Sequence, residues 1–294
     1  MDTQITRLVL TALAVVLMAL PVTAEEVDRS IEFDPDGTVS LECFSGAVQI
    51  LGWDRDEVRI TGTLGRDVER LDVDGSRRRV DIEVEVRERR GGNGTDLTLR
   101  VPRTARIEVE TVSADVRAAD LDGELGIESV SGRIVVADRP SRLQVETVSG
   151  GVEVAHAPPR SEISSVSGAC DIAHAEGHLE AATVSGDITI QSGVLDGADV
   201  ETVSGTIRCE AELSGRGGYD LGTLSGTVLL VVPAGIIADF DLSTFSGSIS
   251  SQLGPAPQRT SRFTPGTELQ FTTGAGGPRI SIESFSGSIK IVTR

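Results

Sequence analysis

Eight acidic residues recur at matched places in this chain: Glu108, Glu110, Glu128, Glu146, Glu162, Glu180, Asp199 and Glu201. Asp220 and Asp241 extend the series. No Lys or Arg occupies either of the two matched positions from Glu108 to Ser243. Carboxylates in a row with no cation among them can hold divalent cations or dock a basic partner. The plain alternative is a solvated face that keeps a β-rich surface from aggregating. Adjacent unit charges ~4.8 Å apart in water cost about 1 kcal/mol each before screening, so a chain needing only solubility could mix its signs.

A second set is imidazole-based. Asp120, Asp138, His156, His174 and Ser192 fall at one repeated position, and His178 follows closely; these are all the His in the chain. Asp138, His156, His174 and His178 together offer donors for Zn²⁺ or a similar divalent cation. His174 and His178 lack the HExxH context of a metalloprotease, and a polar turn column is the simpler reading. The stretch GGNGTDLTL, Gly91 to Leu99, fits one calcium-binding nonapeptide, but such sites form between tandem copies and only one is present. A Gly-rich turn explains it. No G-x-S-x-G elbow, metalloprotease motif or P-loop occurs, so no catalytic residue is assigned. No cofactor is expected beyond a divalent cation.

The elements that must position these residues are written as repeats. Around Gly150 taken as zero, equivalent centres are Ala114, Gly132, Gly168 and Gly186, each 18 residues from the next. Gly205, Gly226 and Gly247 follow at 19, 21 and 21 residues; Gly287 closes the series after an insertion, and Gly46 is an early, isolated copy. Five residues before each centre stand Val109, Ile127, Val145 and their equivalents; two after stand Val116, Ile134, Val152 and theirs. Two before stand Val112, Val130, Val148, Val166, Val184, Val203, Leu224, Phe245 and Phe285, and three before stands Ser or Thr in each of these repeats, from Thr111 to Ser284, with Cys43 in that place before Gly46.

Period-two apolar positions mean strands with one buried face. The expected fold is all-β: a parallel β-solenoid of about 18–21-residue coils with a less regular β-rich N-terminal part. All three apolar columns are expected to face inward, with a bend between positions −5 and −2, so Val148→Asp should unfold the stack. Residues 1–24 read as a signal peptide: Arg7, an apolar run Leu8 to Leu20, and a small-residue cleavage site ending at Ala24. Residues 25–104 read as an irregular β-rich part or cap for the first edge, and 105–294 as the solenoid, the two forming one continuous fold. The strands RISIESFSGSIKIV are expected to end the stack.

Composition excludes partners. A net charge of −18 argues against nucleic acid and against an anionic membrane surface. Trp53 and Tyr219 beside seven Phe are too few for sugar-stacking platforms. No apolar run after the leader is long enough for a transmembrane helix. Cys43, Cys170 and Cys209 form an odd count, and the latter two fall on inward positions as small core residues. The Arg groups Arg77–Arg79 and Arg87, Arg89 and Arg90 read as a hairpin surface, or as a dock for the acidic face of another copy.

The layout from LECFSGAVQILGWDRDEVRITGTL through DLTLRVP and the TVSG series to ISIESFSGSIKI resembles the bacterial putative adhesin family. The resemblance implies a repetitive β-solenoid and surface attachment, and transfers no catalytic residues. The expected function is therefore an exported, non-enzymatic structural or adhesive module of the periplasm or cell envelope. Its partner would be a basic protein or another envelope component. The alternatives are a carbohydrate-active solenoid enzyme and an envelope scaffold that self-associates end to end through its coil edges.

Overall fold

A computed structural model describes residues 25–66, 68–86, 94–215, 217–261 and 265–294. The expected leader, Gly91 to Asn93 of the glycine-rich stretch, Arg87, Arg89, Arg90 and the side chain of Ser192 lie outside the described residues. The chain is all-β, with no helix among the described residues, and all its strands join in one hydrogen-bonded sheet.

Repeats pair in parallel, coil on coil. Strand Arg142–Thr147 lies between Glu124–Ser129 and Arg160–Ser165, which places Val145 between Ile127 and Ile163. After the bend, Val152–Val154 lies between Ile134–Val136 and the start of Cys170–Thr183, which places Val152 between Ile134 and Cys170. The alternation of β-branched residues with polar ones makes these strands, and stacking buries what a single coil cannot. The columns at −5 and +2 are buried throughout, as expected; Val145 and Ile188 are fully enclosed. Each such side chain contributes about 1.5–3 kcal/mol on burial.

Two expectations about order are corrected. Gly46 is not isolated: strand Thr38–Trp53 pairs along its length with Arg106–Ala119, setting Gly46 opposite Ala114. Of the residues between them, Arg79–Val86 and Thr95–Pro102 pair in parallel with the two halves of Thr38–Trp53 as one more coil, and only the strands beyond these fold outward as antiparallel pairs. Arg79–Val86 pairs with Thr38–Trp53 and carries Val68–Gly75, while Thr95–Pro102 carries Glu57–Leu64 and then Glu25–Glu32. The last strands do not end the stack. Arg279–Ser284 and Ser288–Thr293 insert between Gly218–Thr223/Thr227–Val232 and Asp239–Thr244/Ser248–Ser251. The axial order is therefore Gly226, Gly287, Gly247. The long insertion makes this return possible, and Ile280, Ile282 and Ile289 bury in the continuous core. Beyond them, Thr267–Thr272 runs antiparallel on Asp239–Thr244, with Gln258–Arg259 on its far side.

Candidate functional site

The Ser-Gly bend is built from two recurring hydrogen bonds. The hydroxyl at −3 accepts the N–H of the central glycine: Thr147 from Gly150 at 3.1 Å, Ser165 from Gly168 at 2.8 Å, Thr202 from Gly205 at 3.0 Å. The serine at −1 donates to the −2 carbonyl of the neighbouring coil: Ser149 to Val130 at 3.1 Å, Ser167 to Val148 at 3.2 Å. The central residue is glycine because coils approach so closely there. A Cβ on Gly186 would lie 1.9 Å from the Gly168 carbonyl oxygen.

This bend reverses the expected direction of one column. The hydroxyl residues at −3, such as Thr147 and Thr183, are buried, and the apolar residues at −2 point out. Val148 is 47% exposed, and Val112, Val130, Val166, Val184, Val203, Leu224, Phe245 and Phe285 are comparably open. The inward parity set by −5 continues to −3 and changes only across the following two residues. Capping the glycine N–H requires the −3 hydroxyl inside, and that turns its neighbour outward. The expectation that Val148→Asp unfolds the stack is therefore withdrawn. The result is an exposed apolar ladder one rung per coil, ending in Phe285 and Phe245 stacked with ring centres 5.0 Å apart.

The ladder forms one wall of a groove of about 1020 Å³. The floor is the −3 column, and the other wall is the −4 column of the acidic series: Glu110, Glu128 and Glu146, then Ser164 and Ala182, then Glu201, Gly222, Glu283 and Ser243. Register stacks Glu110 on Glu128 and Glu128 on Glu146. It also adds Glu42 and Glu83, which the repeat reading missed because their strands precede the regular series, so five carboxylates follow one another. The −6 column lies outside the groove.

Within the acidic series, Glu108 pairs with Arg106 at 2.9 Å, Asp241 with Arg279 at 3.3 Å, and Glu180 faces His178 at 3.5 Å. Glu110, Glu128, Glu146, Glu162, Asp199 and Glu201 form no ion pair among the described residues. On the second strand face signs are mixed: Arg133 pairs with Glu153 and Arg208 with Glu210, while the carboxylates of Asp115 and Asp187 accept backbone N–H groups of the next coil. The arginines Arg77, Arg78 and Arg79 pair with Glu32, Asp34 and Asp81 of their own coil region.

The imidazoles meet only in part. His156 and His174 stack at 5.0 Å, as coil neighbours should. Asp138 lies one coil away and accepts the N–H of Asp120 at 2.7 Å. His178 lies four residues beyond His174 along the strand Cys170–Thr183, in register with Arg160. Among the described residues, no group of three or more His, Cys, Asp or Glu converges as metal ligands. The thiols are buried and unpaired. Burial pushes Cys43 and Cys170 up to about 11 and Cys209 to about 12. No helix among the described residues is long and apolar enough to cross a membrane.

Comparison with known proteins follows the same lines. No curated protein matches the chain. Among solved structures, a putative adhesin from Parabacteroides distasonis is similar at 10% identity and TM-score 0.47, covering 92% of this chain and 98% of that one. A putative adhesin from Parabacteroides merdae, also 10% identical, covers 91% and 96% with TM-score 0.39. Residues 161–292 match the family model described as Toastrack DUF4097, in agreement with the resemblance to the putative adhesin family carried by the TVSG repeats.

Proposed function

We propose that the chain is an exported, non-enzymatic attachment module of the cell envelope, a parallel β-solenoid whose acidic strand face is its binding surface. The observation that carries this reading is the stack of Glu110, Glu128 and Glu146 at one-coil spacing, with no ion pair to any of them among the described residues. Their fields add along the groove wall, and a basic envelope component or a divalent cation relieves their repulsion. Export rests on the leader-like composition of residues 1–24.

The test is co-sedimentation of the purified protein with washed cell envelopes. Attachment should fall as salt rises, because exposed charges are screened over about 8 Å at physiological ionic strength. Replacing Glu110, Glu128 and Glu146 together by Gln should weaken it. The control pair Asp171→Asn with Asp187→Asn should not. Equal attachment by the triple variant and the wild type at low salt overturns the reading.

A further inference from the structure

The −2 ladder is large, apolar and about half exposed, and its side chains take no part in the hydrogen bonds of the bend, which come from −3 and −1. A row of exposed apolar side chains backed by an acidic column has two chemistries side by side. Resting on the attachment reading above, we propose that this groove docks a cationic amphipathic α-helix supplied by a partner protein.

The argument for a helix is backbone satisfaction. The main-chain groups lining the groove are already bonded from coil to coil: Val148 N donates to Ser129 O, and Ser149 N to Val130 O, an oxygen that also receives the Ser149 hydroxyl. The floor hydroxyls are held by the glycine N–H groups. An extended peptide laid here finds few backbone partners, whereas a helix brings its own. From Val130 to Phe245 the groove spans eight rungs, about 34 Å at one strand spacing per coil, matching about 22 helical residues. The groove is open along that length, with the apolar ladder on one wall and carboxylates on the other, so it can receive a helix's apolar stripe edge-on.

Charge selects the flank, and the aromatic rungs select the direction. Glu110, Glu128 and Glu146 call for Lys or Arg beside the stripe at one end, Glu201 and Glu283 continue that acidic flank, and the stacked Phe285 and Phe245 call for bulky apolar residues at the other end. A second copy of this chain is disfavoured: it would set the same carboxylates against each other at a net charge of −18. An anionic lipid surface meets the same repulsion.

The probe is a synthetic 22-residue peptide with a leucine stripe at helical spacing and lysines along one flank, titrated into the purified protein. Because the described protein is all-β, the gain of helical circular dichroism reports the peptide. Binding with gain of helix is expected. A version with Glu for every Lys should bind at least tenfold more weakly at low salt. So should the lysine peptide with the combined variant Val148→Thr, Val166→Thr and Val184→Thr, which keeps shape at exposed sites. Equal affinity for the acidic peptide, wild-type affinity of the ladder variant, or binding without helix overturns the proposal. Equal displacement by phosphatidylcholine vesicles also overturns it, in favour of a lipid surface. Envelope co-sedimentation on the same preparations separates the two readings: retained attachment with no peptide binding removes the helix and leaves the attachment module standing.

Discussion

The hydroxyl of Thr183 accepts the N–H of Gly186 at 2.9 Å, and this three-residue link recurs at every bend from Gly150 to Gly287. It joins a buried side chain to a buried backbone donor, so neither can reach water instead. Thr183→Val keeps the shape and removes the acceptor. Unfolding in urea should show a loss of about 1–3 kcal/mol, the cost of an unsatisfied buried donor, while Thr183→Ser should stay near wild type. Equal midpoints for all three would mean that the bend does not depend on this bond.

Gly186 is also where coils come closest. A methyl group there would stand 1.9 Å from the Gly168 carbonyl oxygen. Gly186→Ala should therefore destabilise by about 3 kcal/mol through overpacking against backbone. Gly235→Ala, where nothing lies within 4 Å, should change stability by about 0.5 kcal/mol or less. Chemical denaturation of the two variants side by side decides it, and similar midpoints would rule out close coil packing as the reason for glycine.

Direction of the −2 column is open to an equally simple test. Val148→Asp places its carboxylate in water and should cost about 1 kcal/mol or less. Val145→Asp, three residues earlier, buries an unpaired charge in a fully enclosed site and should cost about 3–5 kcal/mol. Thermal melts that ranked the two the other way would put the ladder inside.

The three thiols make stability depend on alkaline pH. The folded state raises Cys43 and Cys170 to about 11 and Cys209 to about 12, each from an ordinary value of 9.0. The folded chain therefore keeps protons that the unfolded chain releases. Their contribution is full below pH 9 and is lost as pH rises through about 11 to 12. Cys209→Ala should flatten the decline of the urea midpoint between pH 9 and 11. At pH 8 a thiol reagent should label none of the three until the protein unfolds; labelling of native protein at the rate of a free thiol would contradict their burial.

Much of this architecture is determined by sequence alone. The 18-residue spacing of Ser-Gly centres, with Val145 and Val152 on alternating positions, imposes parallel coils because only stacking buries those columns. The solvent-facing acidic columns follow from the same alternation, since Glu110 and Glu128 sit one residue from a buried neighbour. Tertiary structure decided the rest. Whether Val148 points in or out depends on the backbone angles of the two bend residues, and an apolar type at an unknown angle fits either side. The bend turned it out because Thr147 had to reach the Gly150 N–H from within. Chain order could not show that Gly287 lies between Gly226 and Gly247, or that Glu42 extends the column of Glu110, because a strand's neighbours are chosen by free edges and not by sequence distance. The groove exists only through these decisions: its acidic wall is legible in the repeats, and its apolar wall is a consequence of how the chain turns.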